Sequence, residues 1–177
     1  VDYEDFNSRH SLEAMKMVLE ETLKHVKYDP VQAAKLVSSI DNWYMANPDA
    51  PGGYDKVWGT LMSGHRGTTF FNSILNLAYL EMVYPDVRRF QSMHVGDDVF
   101  VLADSFDSAY EMMSACKRGG LALNVLKQSI GVWVVEFLRV AYTARRAYGY
   151  YMRCVAACVC GNWVNEVKLD YHEGLST

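Results

Sequence analysis

The stretch His94-Val95-Gly96-Asp97-Asp98-Val99-Phe100-Val101-Leu102 sets two adjacent carboxylates on a tight turn between two apolar, strand-like runs. Neighbouring carboxylates repel and raise each other's pKa unless a cation neutralises them. A hairpin tip gains no stability from such a pair. Hard divalent ions such as Mg²⁺ take a few carboxylates together with substrate phosphates, so the turn reads as half of a metal site for phosphoryl chemistry. Gly-Asp-Asp between strands is equally an ordinary turn signal. The rest of the chain has to separate the two readings.

At the start of the chain, Asp2-Tyr3-Glu4-Asp5-Phe6-Asn7-Ser8 places apolar Val1, Tyr3 and Phe6 on a short strand over 1–6. A carboxylate at the end of that strand faces the 96–98 turn if the two strands are neighbours. Two-metal phosphoryl transfer needs this convergence, because the ions sit about 3.5–4 Å apart and draw ligands from separate strands. Alone, the segment also reads as a solvated acidic strand end.

Between these lies Ser63-Gly64-His65-Arg66-Gly67-Thr68-Thr69-Phe70-Phe71-Asn72-Ser73-Ile74-Leu75-Asn76. Its glycines let backbone approach a ligand closely. A helix then opens at Thr68 or Thr69 and stops at Pro85. Thr68, Asn72 and Asn76 recur every four residues on one face, and buried amides need partners. A ribose hydroxyl is one such partner, neighbouring backbone another. Downstream, Lys127 in Asn124-Val125-Leu126-Lys127-Gln128-Ser129 suits neutralising a polyphosphate or protonating a leaving group, though isolated lysines are usually only solvated.

With these segments in order, the chain resembles the palm of viral RNA-dependent RNA polymerases, in particular totivirus-like enzymes of double-stranded RNA viruses. Asp2 to Asn7 matches the family's motif A, Ser63-Gly64 through Asn72 motif B, and Gly96-Asp97-Asp98 motif C. Lys127 falls at the motif D lysine, and Glu136-Phe137-Leu138-Arg139 looks like motif E. Ser63-Gly64-x-Arg66-x-Thr68-Thr69-Phe70-x-Asn72 and Gly161-Asn162-Trp163-Val164-Asn165 point to the totivirus-like branch.

The resemblance implies template-directed addition of ribonucleotides to an RNA 3′-hydroxyl. Asp2 and Asp97 would bind two Mg²⁺ ions, Mn²⁺ being the open alternative, with Asp98 in support. Asn72 would read the ribose hydroxyls, helped by Asn7 and by Ser63, Gly64 or Thr68 of the loop. Lys127 would act as general acid, with Lys117 as a competing register. Arg139 and its hairpin would hold the primer end, and Arg145 and Arg146 would contact RNA. Many positive-strand viral polymerases carry Asp where this chain has Asn7, which can still hydrogen-bond a 2′-hydroxyl. Implied partners are RNA template and product, ribonucleoside triphosphates, the fingers and thumb of the polymerase, and a viral capsid protein. The implied setting is a particle in the host cytoplasm.

Composition fits part of a larger machine. With 177 residues, half of them hydrophobic, the chain can bury one sizeable core. Starting at Val1 beside a candidate catalytic aspartate, it reads as a fragment without fingers and most of the thumb. Its net charge of −4 is unusual for an RNA binder, but from Phe137 to Asn165 there is no acid, while Arg139, Arg145, Arg146 and Arg153 alternate with tyrosines. Such a stretch suits a nucleic-acid backbone, or is a plain solvated helix face. Cys154, Cys158 and Cys160 share one expected helix and lack a matching second ligand pair, so buried thiols in a reducing compartment are expected. No run of about 18 apolar residues suggests a membrane span, and no signal peptide is visible.

The expected fold is α+β: a polymerase palm over 1–141, with an antiparallel sheet and helices packed on one face, and the start of a helical thumb over 142–177. Expected elements are the strand 1–6, helices 9–27 and 30–46, a loop 47–62 and a helix 68–84. A hairpin at 91–95 and 99–103 follows, then a helix capped at Ser108 and ending at Gly119-Gly120. A strand at 121–124, a hairpin across 132–141 and a helix 143–160 complete the order. Two other readings stand beside the polymerase: a reverse transcriptase or other DNA-making palm, and a non-catalytic RNA-binding palm.

Overall fold

The computed structural model describes residues 1–124 and 126–160; the segment 161–165, which helped to indicate the totivirus-like branch, lies outside them. The chain forms two compact units, Val1–Ile130 and a second beginning at Gly131.

The first unit is built around one helix, α3 (Thr68–Val83). One stretch of it buries Phe71 and Leu75 against α1 (Leu12–His25), with Leu12, Met15, Val18 and Leu19, and against Ile40 and Leu61. Further along, Leu80 packs with Tyr3, Phe6, Tyr84, Val87 and Val99, and with Met112, Ala115 and Cys116 of α4 (Phe106–Arg118). Tyr79 touches both clusters. Met15 and Leu80 are fully enclosed; truncating such a side chain to Ala costs about 2–5 kcal/mol.

The sheet is antiparallel, and its register brings together segments far apart in the chain. Strands β3 (Gln91–Val95) and β4 (Asp98–Leu102) form a hairpin in which Val95 pairs with Asp98. Gly96 has φ 64° while Asp97 keeps a negative φ, the pattern of a type II′ turn, which requires Gly at its first central position. On the other edge of β4, Val1 and Val99 exchange both backbone hydrogen bonds, at 2.6 and 3.1 Å, as an antiparallel hydrogen-bonded pair does. The same N-terminal segment pairs next with 122–124: Tyr3 bridges Leu123, Glu4 N–H reaches Ala122 O at 2.8 Å, and Asn124 N–H reaches Asp2 O at 3.0 Å.

Alternation along this segment then decides its two faces. Tyr3 and Val99 turn to the helices and are buried, which leaves Asp2 and Asp98 together on the opposite, open face. Helices on one side of an antiparallel sheet are what the sequence predicts.

Several boundaries differ from the expectation. The N-terminal strand ends by Glu4, because Asp5 adopts φ 47° and Phe6–Arg9 wind into a 3₁₀ turn that buries Phe6. Helix α1 therefore starts at Leu12, with Ser11 as its cap. Asp29 caps α2 (Pro30–Ser39) as Pro at the first position foretells, but α2 stops well short of 46. Tyr44–Ala46 (β1) instead pairs with Tyr54–Lys56 (β2), inside the expected loop. The cap of α4 is Ser105, whose hydroxyl accepts from Ser108 N–H, not Ser108 itself. With Ser105 three residues before Ser108, the earlier hydroxyl meets the first unpaired amides.

In the second unit, Val135–Phe137 (β5), Val140–Tyr142 (β6) and Ala147–Gly149 (β7) form a three-stranded antiparallel sheet. The expected helix over 143–160 is thus shortened to α5 (Tyr151–Cys160). Thr143 closes the β6–β7 turn from both backbone and hydroxyl onto Arg146 O, at 2.8 and 3.0 Å. Cys154, Cys158 and Cys160 are exposed on α5, not buried as expected; Cys116 is the buried thiol. α5 buries none of its residues.

Candidate active site

Continuing the Val1–Val99 register by one residue sets Asp2 directly across from Asp98. Such non-hydrogen-bonded partners have Cβ atoms about 4.5–5.5 Å apart. Asp97 follows on the turn itself, exposed. Three carboxylates from two chain segments distant in sequence are therefore carried to one end of the open face, Asp97 and Asp2 near enough for their charges to act on Asp98. Burial, then the charges of Asp97 and Asp2, raise the Asp98 carboxyl above its ordinary pKa, and the Val1 ammonium and Lys127 oppose them. Lys127 Nζ stands 4.0 Å from Asp2 Oδ2, so the lysine matched to motif D does reach the site. Lys117 lies exposed in the last turn of α4.

The backbone beneath these side chains is gripped on both sides. Gln128 brackets Asp2: its Nε2 donates to Asp2 O at 2.6 Å and to Asn124 O at 2.8 Å, and its Oε1 accepts from Asp2 N–H at 3.2 Å. From α3, Ser73 Oγ accepts from Gly96 N–H at 2.9 Å. Asn76 Nδ2 donates to Gly96 O and Asp97 O at 3.3 and 3.1 Å, while its Oδ1 accepts from Tyr3 O–H at 3.1 Å. Asn76 is fully buried. It joins the residue after Asp2 to the turn that carries Asp97. The polar stripe of Thr68, Asn72 and Asn76 is therefore divided, and for Asn76 the backbone of the turn is the partner.

One helical turn earlier, Asn72 meets motif A elsewhere. Its Nδ2 donates to Asn7 Oδ1 at 2.7 Å, and His10 Nε2 lies 2.9 Å from its Oδ1. Thr68 satisfies its hydroxyl locally, donating to His65 O at 2.6 Å. Ser63 and Gly64 sit exposed in the loop before α3, where Gly64 has φ 83°.

The donor set fits a hard divalent ion in kind: three carboxylates, Asp2 and Asp98 partly exposed and Asp97 exposed, two of whose charges act on the third. Among the described residues no three His, Cys, Asp or Glu side chains stand grouped at ligand spacing, so the carboxylates converge without forming a closed cage.

Arg139, Arg145 and Arg146 belong to the second unit. Leu138 and Arg139 both have positive φ, 50° and 63°, in the β5–β6 turn. This is a type I′ geometry that Asn-Gly fills most easily; bulky residues there are strained. Arg145 and Arg146 lie exposed on the β6–β7 turn. Arg139, Gly149, Tyr150, Tyr151, Arg153 and Cys154 line an open groove of about 520 Å³. Within it Arg153 is 2.6 Å from Glu136 and 4.8 Å above the Tyr150 ring.

A family model described as viral RNA-directed RNA polymerase matches residues 1–163. The chain belongs to that family. It is 39% identical over 175 residues to the probable RNA-directed RNA polymerase of Leishmania RNA virus 1 - 1, covering 99% of this chain and 20% of that protein. The corresponding protein of Helminthosporium victoriae virus-190S is 37% identical over 173 residues, 96% of this chain and 20% of its own length. That of Saccharomyces cerevisiae virus L-A is 33% identical over 150 residues, 80% of this chain and 10% of its own. These relatives bear out the totivirus-like, double-stranded RNA virus resemblance. The chain spans about a fifth of the first two relatives. A crystal structure of the RNA-dependent RNA polymerase of a human picobirnavirus superposes with a TM-score of 0.65, over 91% of this chain and 36% of that one. At 17% identity that likeness shows the fold alone.

Proposed function

We propose that a polymerase carrying this chain adds ribonucleotides to an RNA 3′-hydroxyl on an RNA template, at a site formed by Asp2, Asp97 and Asp98. The observation that carries this reading is the register that sets Asp2 across from Asp98 beside the Asp97 turn. Asp2 and Asp97 would hold Mg²⁺ as principal ligands, with Asp98 in support, and the bound ions would supply Lewis-acid stabilisation of the attacking and leaving oxygens. Lys127, on the same side as Asp2, protonates the departing pyrophosphate. The Asn7–Asn72 pair reads the sugar, with Ser63, Gly64 and Thr68 shaping the loop beside it. Arg139, Arg145 and Arg146 contact the RNA backbone, and the palm passes into the thumb near 141.

Two other readings are disfavoured by particular residues. A palm that makes DNA blocks the 2′-hydroxyl with a large side chain, whereas here two amides face each other at that place. A non-catalytic palm would lack Asp2 or Asp97. Packaging beside a viral capsid protein, in a particle within the host cytoplasm, fits the same reading. No helix among the described residues is long and apolar enough to cross a membrane.

The test is incorporation of labelled ribonucleotides by the full-length protein on an RNA template with Mg²⁺ or Mn²⁺. Template-dependent product is expected, and its absence under both ions contradicts the reading. In the same assay Asn72→Ala is expected to relax discrimination against deoxynucleotides about ten-fold or more, the scale of an unpaired buried group. Discrimination equal to wild type would place sugar reading elsewhere.

A further inference from the structure

His10 is 2% exposed and takes no part in the chemistry described above. It follows the Phe6–Arg9 turn, and its own carbonyl accepts from Thr60 N–H at 2.9 Å. The imidazole is held edge-on to Phe6, ring centroids 4.6 Å apart at 85°, and lies beside the Tyr79 ring at 5.8 Å. Its two nitrogens meet Asn72 Oδ1 at 2.9 Å and the Tyr79 hydroxyl at 3.3 Å.

This arrangement has a direction. Asn72 donates from Nδ2 to Asn7, so its Oδ1 is the acceptor facing His10, and His10 Nε2 must carry the proton. Burial holds the imidazole below its ordinary pKa, so it is neutral, and Nδ1 is left to accept from Tyr79 O–H. The order is then Tyr79 to His10 to Asn72 to Asn7. Asn7, accepting with Oδ1, keeps its amide hydrogens for donation outward. Without a donor at Nε2, Asn72 has no reason to prefer this orientation. A flipped Asn72 presents Oδ1 to Asn7, and Asn7 must then turn its own amide hydrogens inward.

We propose that His10 is a positioning residue for sugar selection: through Asn72 it holds Asn7 in the amide orientation that offers hydrogen-bond donors to a ribose hydroxyl. The inference rests on the sugar-reading role given to Asn72 and adds the residue that orients it. A 2′-deoxynucleotide has no hydroxyl for those donors, so losing the orientation penalises ribonucleotides selectively. A residue that merely fills the core would affect both sugars alike.

The experiment measures kcat/KM for a ribonucleoside triphosphate and its 2′-deoxy counterpart in the full-length polymerase. Wild type is compared with His10→Leu, His10→Gln and Asn72→Ala, and His10→Phe replaces the leucine variant if that does not fold. His10→Leu is expected to lower the ribo-to-deoxy ratio about ten-fold, the scale of one misdirected buried hydrogen bond, mainly through the KM for the ribonucleotide. Gln, whose amide reaches as far as Nε2 and can donate, should restore most of the ratio. An unchanged ratio in the non-donating variant, or equal losses on both sugars that Gln does not repair, overturns the proposal. If Asn72→Ala lowers the ratio while His10→Leu does not, only the role of His10 falls. If Asn72→Ala leaves it unchanged, the sugar-reading assignment falls and this inference with it.

Discussion

Asp97→Asn in the full-length polymerase is expected to lower ribonucleotide incorporation at least about a thousand-fold, roughly 4 kcal/mol of transition-state stabilisation. The substitution keeps size and removes one charge. Asp97 is exposed on a turn that Ser73 and Asn76 hold entirely through its backbone, so the fold has no stake in the carboxylate. Removing the charge relieves the repulsion that raises the Asp98 pKa. The melting midpoint should therefore stay at or slightly above wild type, as for a surface substitution. Activity lost without stability is the signature of a ligand that acts only when a metal is bound. Incorporation within a few-fold of wild type would remove Asp97 from the site.

The second large effect is structural in origin. Asn76→Leu places an apolar side chain where a fully buried amide joins Tyr3 O–H to the carbonyls of Gly96 and Asp97. Three polar groups lose their partner at once: orphaning the buried Tyr3 hydroxyl costs about 1–3 kcal/mol, and each turn carbonyl loses a hydrogen bond worth about 0.5–1.5 kcal/mol. The expected result is a destabilisation of about 3–5 kcal/mol, seen as a fall of order 10 °C in the melting midpoint, together with loss of incorporation because the Asp97 turn is no longer tied to the Asp2 strand. A midpoint within about 2 °C of wild type would mean that the turn is held by its own type II′ geometry and by Ser73.

The parts of this architecture that were legible in the sequence are those set by local chemistry. Gly96-Asp97 between apolar runs specified a hairpin, Pro30 after Asp29 a helix start, and Thr68 to Pro85 a helix with both ends marked. Adjacent carboxylates on a turn and amides on an apolar helix stand out by their chemistry, whereas Lys127 is singled out only by its place in the family resemblance. What escaped the sequence is made by contacts between distant residues. Nothing local distinguishes Gln128 from any half-exposed glutamine, yet it brackets the Asp2 backbone. Asn76 and Asn72 look alike on one helical face. Only the tertiary placement of Tyr3 and Asn7 assigns one to the turn and the other to motif A. His10 carries no local signal for the same reason, since its hydrogen-bond partners Asn72 and Tyr79 are contributed by α3. The short strands β1, β2 and β7 carry too few residues for a period to show. The expectation for 143–160 failed because a three-residue strand took the start of an apparently helical run.

The proposed chemistry requires residue 2 and residues 97 and 98 to converge on a shared cation. Mn²⁺ binding by the full-length polymerase, followed by electron paramagnetic resonance, measures that sharing directly in wild type, Asp2→Asn, Asp97→Asn and the double variant. The prediction is strong non-additivity: either single change weakens binding substantially, and the second adds little because the common ion has already been lost. Two independent losses that sum in the double variant, or affinities unmoved by either change, would contradict it.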